Sequence, residues 1–217
     1  MIATMTRSRP LHPEAREHRV LAVALGLNAL MFVVGLVAGL IAESLGLLAD
    51  ALDMLADALA YGLSLAAVGR PPIFKARVAT MSGTLLLALG GGILLDAGRR
   101  LVTGSDPESA VMMAVAALSL AVNATVIRML TRLRKGEVHL RAAWLFTRAD
   151  VVANLGVILS GALVLLTGSR IPDLVAGIAI GLYVMREAWE ILGRARRARG
   201  GIGLRAREPF PAPGVDI

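Results

Sequence analysis

Three carboxylates stand in one helical register within LLADALDMLAD: Asp50, Asp53 and Asp57. Spacings of three and four put them on one helix face, which Tyr61 and Ser64 continue. Asp150 and Asn154, in TRADVVANLGV, repeat the pattern at i and i+4. Carboxylates this close repel unless a cation sits among them or some carry protons. Carboxylate and amide oxygens suit Mn²⁺, Fe²⁺, Co²⁺ or Mg²⁺, whereas Zn²⁺ favours His and Cys donors. Cys is absent, which excludes thiolate metal sites and cysteine nucleophiles. The apolar segments hold no Ser/His or His-cluster arrangement for hydrolysis, so the expected function is not enzymatic.

The elements that carry these groups are read from composition. The 217 residues are 56% hydrophobic, 18% charged and only 4% aromatic. A soluble domain averages roughly 45–50% apolar and ~25% charged. A membrane-spanning helix needs about 20 mostly apolar residues. Six segments qualify: Val20–Ala42, Leu45–Val68, Val78–Gly98, Ser109–Leu130, Ala143–Thr167 and Leu174–Gly193. The first exceeds a signal peptide's apolar core of about 7–15 residues, and no small-residue cleavage site follows it. Short loops make sequential helices antiparallel neighbours. The expected fold is all-α, a polytopic membrane protein of six transmembrane helices, between a tail of residues 1–19 and a basic tail of residues 194–217.

Positive charge orients the spans. The net charge is +7, and all but three of the 23 Lys and Arg residues fall on the side of the N-terminus; Arg99, Arg100 and Arg170 are the exceptions. The bias predicts both termini inside, in an inner (plasma) membrane of bacterial type. It explains the basic composition without nucleic acid. An Arg194–Arg199 cluster at the last span reads as the same anchor.

An ionisable group near the bilayer centre costs about 2.5–3.5 kcal/mol even on the lenient insertion scale. Asp53 and Asp57 lie about 12 and 18 Å from the outer end of the second span at 1.5 Å per residue. Asp150 and Asn154 lie about 10 and 16 Å from the inner end of the fifth. Both pairs fall near the middle of a core about 30 Å thick. Two facing helices can therefore build a four-ligand cage for a cation. Asp50, one turn outward, reads equally as a proton relay or as a partner that steadies the ligands. His12, His18 and His139 read as solvated surface residues. Gly35 and Gly39, and Gly177 and Gly181, form GxxxG pairs that permit close helix approach, and Gly90-Gly91-Gly92 gives the third span a flexible point.

The blocks AESLGLLADALDMLADALAYGLSL, TRADVVANLGVILSG and PDLVAGIAIGLYVMREAWEIL resemble the cation diffusion facilitator (cation efflux) family over Val20–Gly193. Asn28, Asp96 and Asn123 match supporting positions. The resemblance implies export of a divalent transition metal (Zn, Mn, Fe, Co or similar) in exchange for protons. Its tetrahedral site would be Asp53 and Asp57 with Asp150 and Asn154, where Asn replaces the usual Asp and removes one charge and one proton carrier. Most members add a ferredoxin-like cytoplasmic domain; after the last span only Arg194–Ile217 stands here, a short form too small to fold alone. The implied partners are the metal ion, protons and the bilayer, a homodimer being among the assemblies allowed, with no cofactor beyond the transported ion. Competing readings are a proton-coupled exporter of small cationic molecules, disfavoured by scarce aromatics, and a non-transporting metal-binding scaffold.

Overall fold

The computed structural model describes residues 13–66, 70–133 and 138–205. Among them run six helices: α1 (Pro13–Ile41), α2 (Leu45–Ala66), α3 (Pro72–Thr103), α4 (Ser109–Leu133), α5 (Val138–Thr167) and α6 (Ile171–Arg205). The all-α, multi-pass membrane fold follows. In a bilayer every backbone N–H and C=O must be satisfied within the segment, and aliphatic helices do this. Most helices overrun their expected spans at the end that carries Arg16, Arg19, Lys75, Arg128 and Arg194, here termed the basic end. The α1–α2 turn marks the opposite, turn end. α6 continues to Arg205, well past Gly193, because its Arg- and Ala-rich continuation favours helix once it has left the apolar layer.

Four stretches are long and apolar enough to cross a membrane by composition alone: His18–Ile41, Ile73–Thr103, Ser109–Thr131 and Asp150–Thr167. α2 and α6 carry too many charges for that test. Asp50, Asp53 and Asp57 lie in α2, and Asp173, Arg186 and Glu187 lie in α6. Their place in the bundle resolves the difficulty. α2 touches all five other helices, and α6 packs on α3, α2 and α5. α2 is central and α6 buries its polar residue Asp173, while Leu30, Val33 and Val37 of α1 and Val152, Leu155 and Leu159 of α5 are exposed. This is the inverse of a soluble domain, with an apolar belt left for lipid.

Where α2 begins, the chain is held from three sides. Gly39 of α1 lies so close that an added Cβ would stand 2.9 Å from the Leu48 backbone nitrogen. Gly177 of α6 leaves the same little room, 2.8 Å, against the Leu45 carbonyl carbon. The expected GxxxG glycines thus pack helices within the chain. Above them Asp173, fully buried on α6, accepts hydrogen bonds from Ser44 Oγ (2.7 Å), Leu45 N (2.8 Å) and Gly46 N (3.0 Å). Ser44 Oγ in turn accepts from Leu47 N at 3.1 Å, as an N-cap does. One carboxylate from α6 therefore satisfies the orphan amides that open α2, where the helix dipole favours negative charge.

The turn before it is fastened too. Glu43 adopts φ 46°, the left-handed region that a non-glycine residue enters only under constraint. Its carbonyl accepts from buried Arg100 of α3, and its carboxylate accepts from Asp106 N at 3.2 Å. Arg100 and Arg99 also pair with Asp96, at 2.6 and 2.7 Å. Asp96 thus belongs to this end lock. Asp173→Ala should strip α2 of its cross-helix cap and destabilise the folded protein by about 1–3 kcal/mol, the usual cost of leaving buried donors unpaired. Reversible unfolding in mixed micelles measures it; a stability equal to the parent would show that the cap carries no weight.

Candidate functional site

Asp50, Asp53 and Asp57 point from α2 into the bundle rather than toward lipid. Asp50 and Asp53 are buried, and Asp57, a turn nearer the basic end, is partly so. α5 sets Asp150 and Asn154 against them, 4% and 0% exposed. The helices meet in antiparallel register, so the partner nearer the turn end on one meets its counterpart on the other. Asn154 Nδ2 donates to Asp50 Oδ1. Asp150 neighbours both Asp53 and Asp57. Neighbouring carboxylates repel unless they share a proton or a cation.

α4 supplies the support. Asn123 Nδ2 donates to Asn154 Oδ1 at 3.1 Å, and the buried Ser119 lies beside Asp50. A buried chain Asn123–Asn154–Asp50 thus joins α4, α5 and α2. Asn123, matched in sequence only as a supporting position, orients the Asn154 carboxamide. Asn28 of α1 is fully buried but spends its amide on its own helix, donating to the Ala24 carbonyl at 2.9 Å. Among the described residues, three buried oxygens, Asn28 Oδ1, Asn123 Oδ1 and Asp150 Oδ2, have no hydrogen-bond partner.

The arrangement is not the symmetric cage that the sequence suggests. Asp53, Asp57 and Asp150 form one group, and Asn154 is engaged with Asp50, one turn away. The reason is chemical: an amide carries an N–H₂ donor that a carboxylate lacks, and Asp50 is the acceptor on its side. Among the described residues no three acids or imidazoles close to ligand distances as they stand. The proximity of Asp150 to Asp53 and Asp57 defines the group nonetheless. Among the described residues, the strongest neighbouring charges on Asp53 and Asp150 are other carboxylates, not Lys or Arg.

Two further residues belong to this neighbourhood. Glu187 of α6 acts electrostatically on Asp53, Asp57 and Asp150. Tyr183 Oη donates to Glu187 Oε1 at 2.9 Å, across one helical turn. Glu187 falls inside the sixth expected span, so the rule that flagged the aspartates applies to it equally. The flanking Arg186 and Glu190 disguise it as part of a charged helix end. Of the histidines, His18 is exposed; His12 and the side chain of His139 lie outside the described residues, as do the side chains of Arg132, Arg134, Lys135, Arg141 and Arg148.

The model of the cation efflux transmembrane domain matches residues 21–72 and 74–197. The metal cation efflux system protein CzcD of Cupriavidus metallidurans is 31% identical over 193 residues, covering 83% of this chain and 61% of the relative. The zinc transporter ZitB of Escherichia coli is likewise 31% identical over 193 residues, covering 83% of this chain and 62% of its own length. The chain thus spans about three-fifths of the curated relatives it matches. With the match running from the first span through the last, the chain belongs to the cation efflux, or cation diffusion facilitator, family.

Proposed function

We propose that this protein moves a divalent metal cation across a bacterial inner membrane, out of the cytoplasm, in exchange for protons. The observation that carries this reading is the meeting of three carboxylates from two facing helices inside the apolar layer, with no basic side chain paired to them among the described residues. Burying three negative charges together is prohibitively unfavourable unless protons or a cation neutralise them. A site that must always hold one or the other exchanges them.

Asp53, Asp57 and Asp150 are the charged ligands in this reading. Asn154 adds a neutral oxygen: its Oδ1 accepts from Asn123 and has a second lone pair to offer. Metal binds the deprotonated carboxylates, so protons arriving from outside compete with it and favour its release. Placing the basic end in the cytoplasm follows the positive-inside rule. The relatives' names support a transition metal, and one names zinc; the all-oxygen donor set equally suits Mn²⁺, Fe²⁺ or Co²⁺.

In inverted vesicles with an imposed pH gradient, the parent should accumulate Zn²⁺ or Mn²⁺. Asp57→Ala should abolish that uptake while the protein remains inserted; undiminished transport in this variant would sink the site. A second outcome concerns the amide. Asn154→Asp removes the donor to Asp50 and faces it with another acid, so without metal it should be less stable than the parent by about 1–3 kcal/mol. Added divalent ion should narrow the gap, as a ligand that binds only the folded state does. Equal thermal unfolding of the two proteins in detergent would mean that Asn154 does not hold Asp50.

A further inference from the structure

α6 bears two glutamates three residues apart, and they are treated differently. Glu190 is paired twice along its own helix, with Arg186 at 3.4 Å and Arg194 at 3.3 Å. Among the described residues, Glu187 receives only the Tyr183 hydroxyl, although Arg186 and Arg194 act on it at longer range. It is partly exposed, and its charge acts on Asp53, Asp57 and Asp150. Its level follows from the end lock, where Asp173 of α6 meets Leu45 of α2. Counted from that contact at 1.5 Å per residue, Asp53 lies about 12 Å along α2, Asp57 about 18 Å, and Glu187 about 21 Å along α6. Glu187 is thus the member of the group nearest the basic end. Farther inward, past Asp57, Asp150 is 4% exposed, and its Oδ2 has no hydrogen-bond partner among the described residues.

We propose that Glu187 is a transfer ligand: it takes the incoming divalent cation at the basic end of the site and passes it to Asp57 and the free oxygen of Asp150. The inference rests on the reading of Asp53, Asp57 and Asp150 as the ion's resting ligands, and adds a residue that the four-ligand reading does not contain. The physical argument is one of graded desolvation. An ion moving from water straight to buried Asp53 would lose its hydration before gaining charged oxygens. A half-exposed carboxylate lets it exchange water for ligands stepwise, and the Tyr183 hydroxyl holds that carboxylate in place without neutralising it. Glu190, already bonded by two guanidinium groups, cannot serve in this way.

The test compares Glu187→Gln, Glu187→Asp and Asp150→Asn with the parent, using Zn²⁺ alone as the probe. Two readouts are needed: equilibrium Zn²⁺ binding to the full chain in detergent, and initial uptake rates in inverted vesicles. Glu187→Gln should keep the parent's binding stoichiometry and an affinity within about twofold, while its apparent KM for uptake rises about tenfold at little-changed maximal rate. Glu187→Asp should restore most of the loss. Asp150→Asn should lose both binding and uptake. Parent-like KM in Glu187→Gln, with Asp150→Asn inactive, would overturn the transfer role and leave the central site standing. Loss of equilibrium binding in Glu187→Gln, with thermal unfolding unchanged, would overturn it too, by making Glu187 a resting ligand. Full activity in Asp150→Asn would instead overturn the site on which the inference rests.

Discussion

A helix bearing three aspartates crosses a bilayer where its neighbours keep those aspartates away from lipid. Each ionised group left near the centre of lipid costs about 2.5–3.5 kcal/mol on the most lenient scale, and α2 carries three. Much of the architecture answers that constraint. α2 is packed against all five other helices, and residues Leu45 to Met54 are buried without interruption. The glycines at Gly39 and Gly177 are what let α1 and α6 come near enough to wrap it. Because α2 starts inside the bundle, its first amides have no water to bond, and Asp173 supplies the missing acceptor from a different helix. A charged residue thus caps the helix whose charges need shelter.

The neutral residue at Asn154 changes the site's logic. A carboxylate there would complete a fourfold acidic cage and face Asp50 with like charge. The amide instead gives Asp50 a donor and accepts one from Asn123, so α4 enters the network and fixes the orientation of both groups. Asp50 is held and solvent-free at 1% exposure, whereas Asp53, Asp57 and Asp150 have mainly one another. Two tiers result: a satisfied polar tier toward the turn end, and an acidic tier toward the basic end. Only the second demands a cation or protons.

Much of this was legible in the residues alone. Apolar run lengths located all six helices, and the three-and-four spacing set Asp50, Asp53, Asp57, Asp150 and Asn154 on inward faces. Helix ends at the basic side were less legible, since a run such as RARRAR is as helical as it is polar and hydropathy registers only the lipid boundary. The partner of Asn154 was not legible either. Ligand spacing treats Asn and Asp alike as oxygen donors, but the N–H₂ group decides which neighbour it seeks. Asp173 hid in a turn-like Ile-Pro-Asp sequence, since a cap supplied across 128 residues leaves no local signature. Glu187 was hidden by its neighbours: with Arg186, Glu190 and Arg194 around it, it looked like the solvated end of a helix.

The distribution of tight and loose contacts bears on how such a site could change its exposure. Toward the turn end α1, α2 and α6 approach within glycine distance and share buried hydrogen bonds. α5 meets α2 over a much smaller surface than α1 or α6 does, and at that surface stand Asp50, Asp53, Asp57, Asp150 and Asn154. The seam between the two helices is therefore set by charge more than by packing. Ionised and empty, its acidic tier repels and favours separation; neutralised by a divalent ion or by protons, it draws together. A ligand shifts a conformational equilibrium only through its differential affinity for the two states. On the proposed reading the seam and the binding groups are the same atoms, which would couple occupancy and helix approach without any intervening relay.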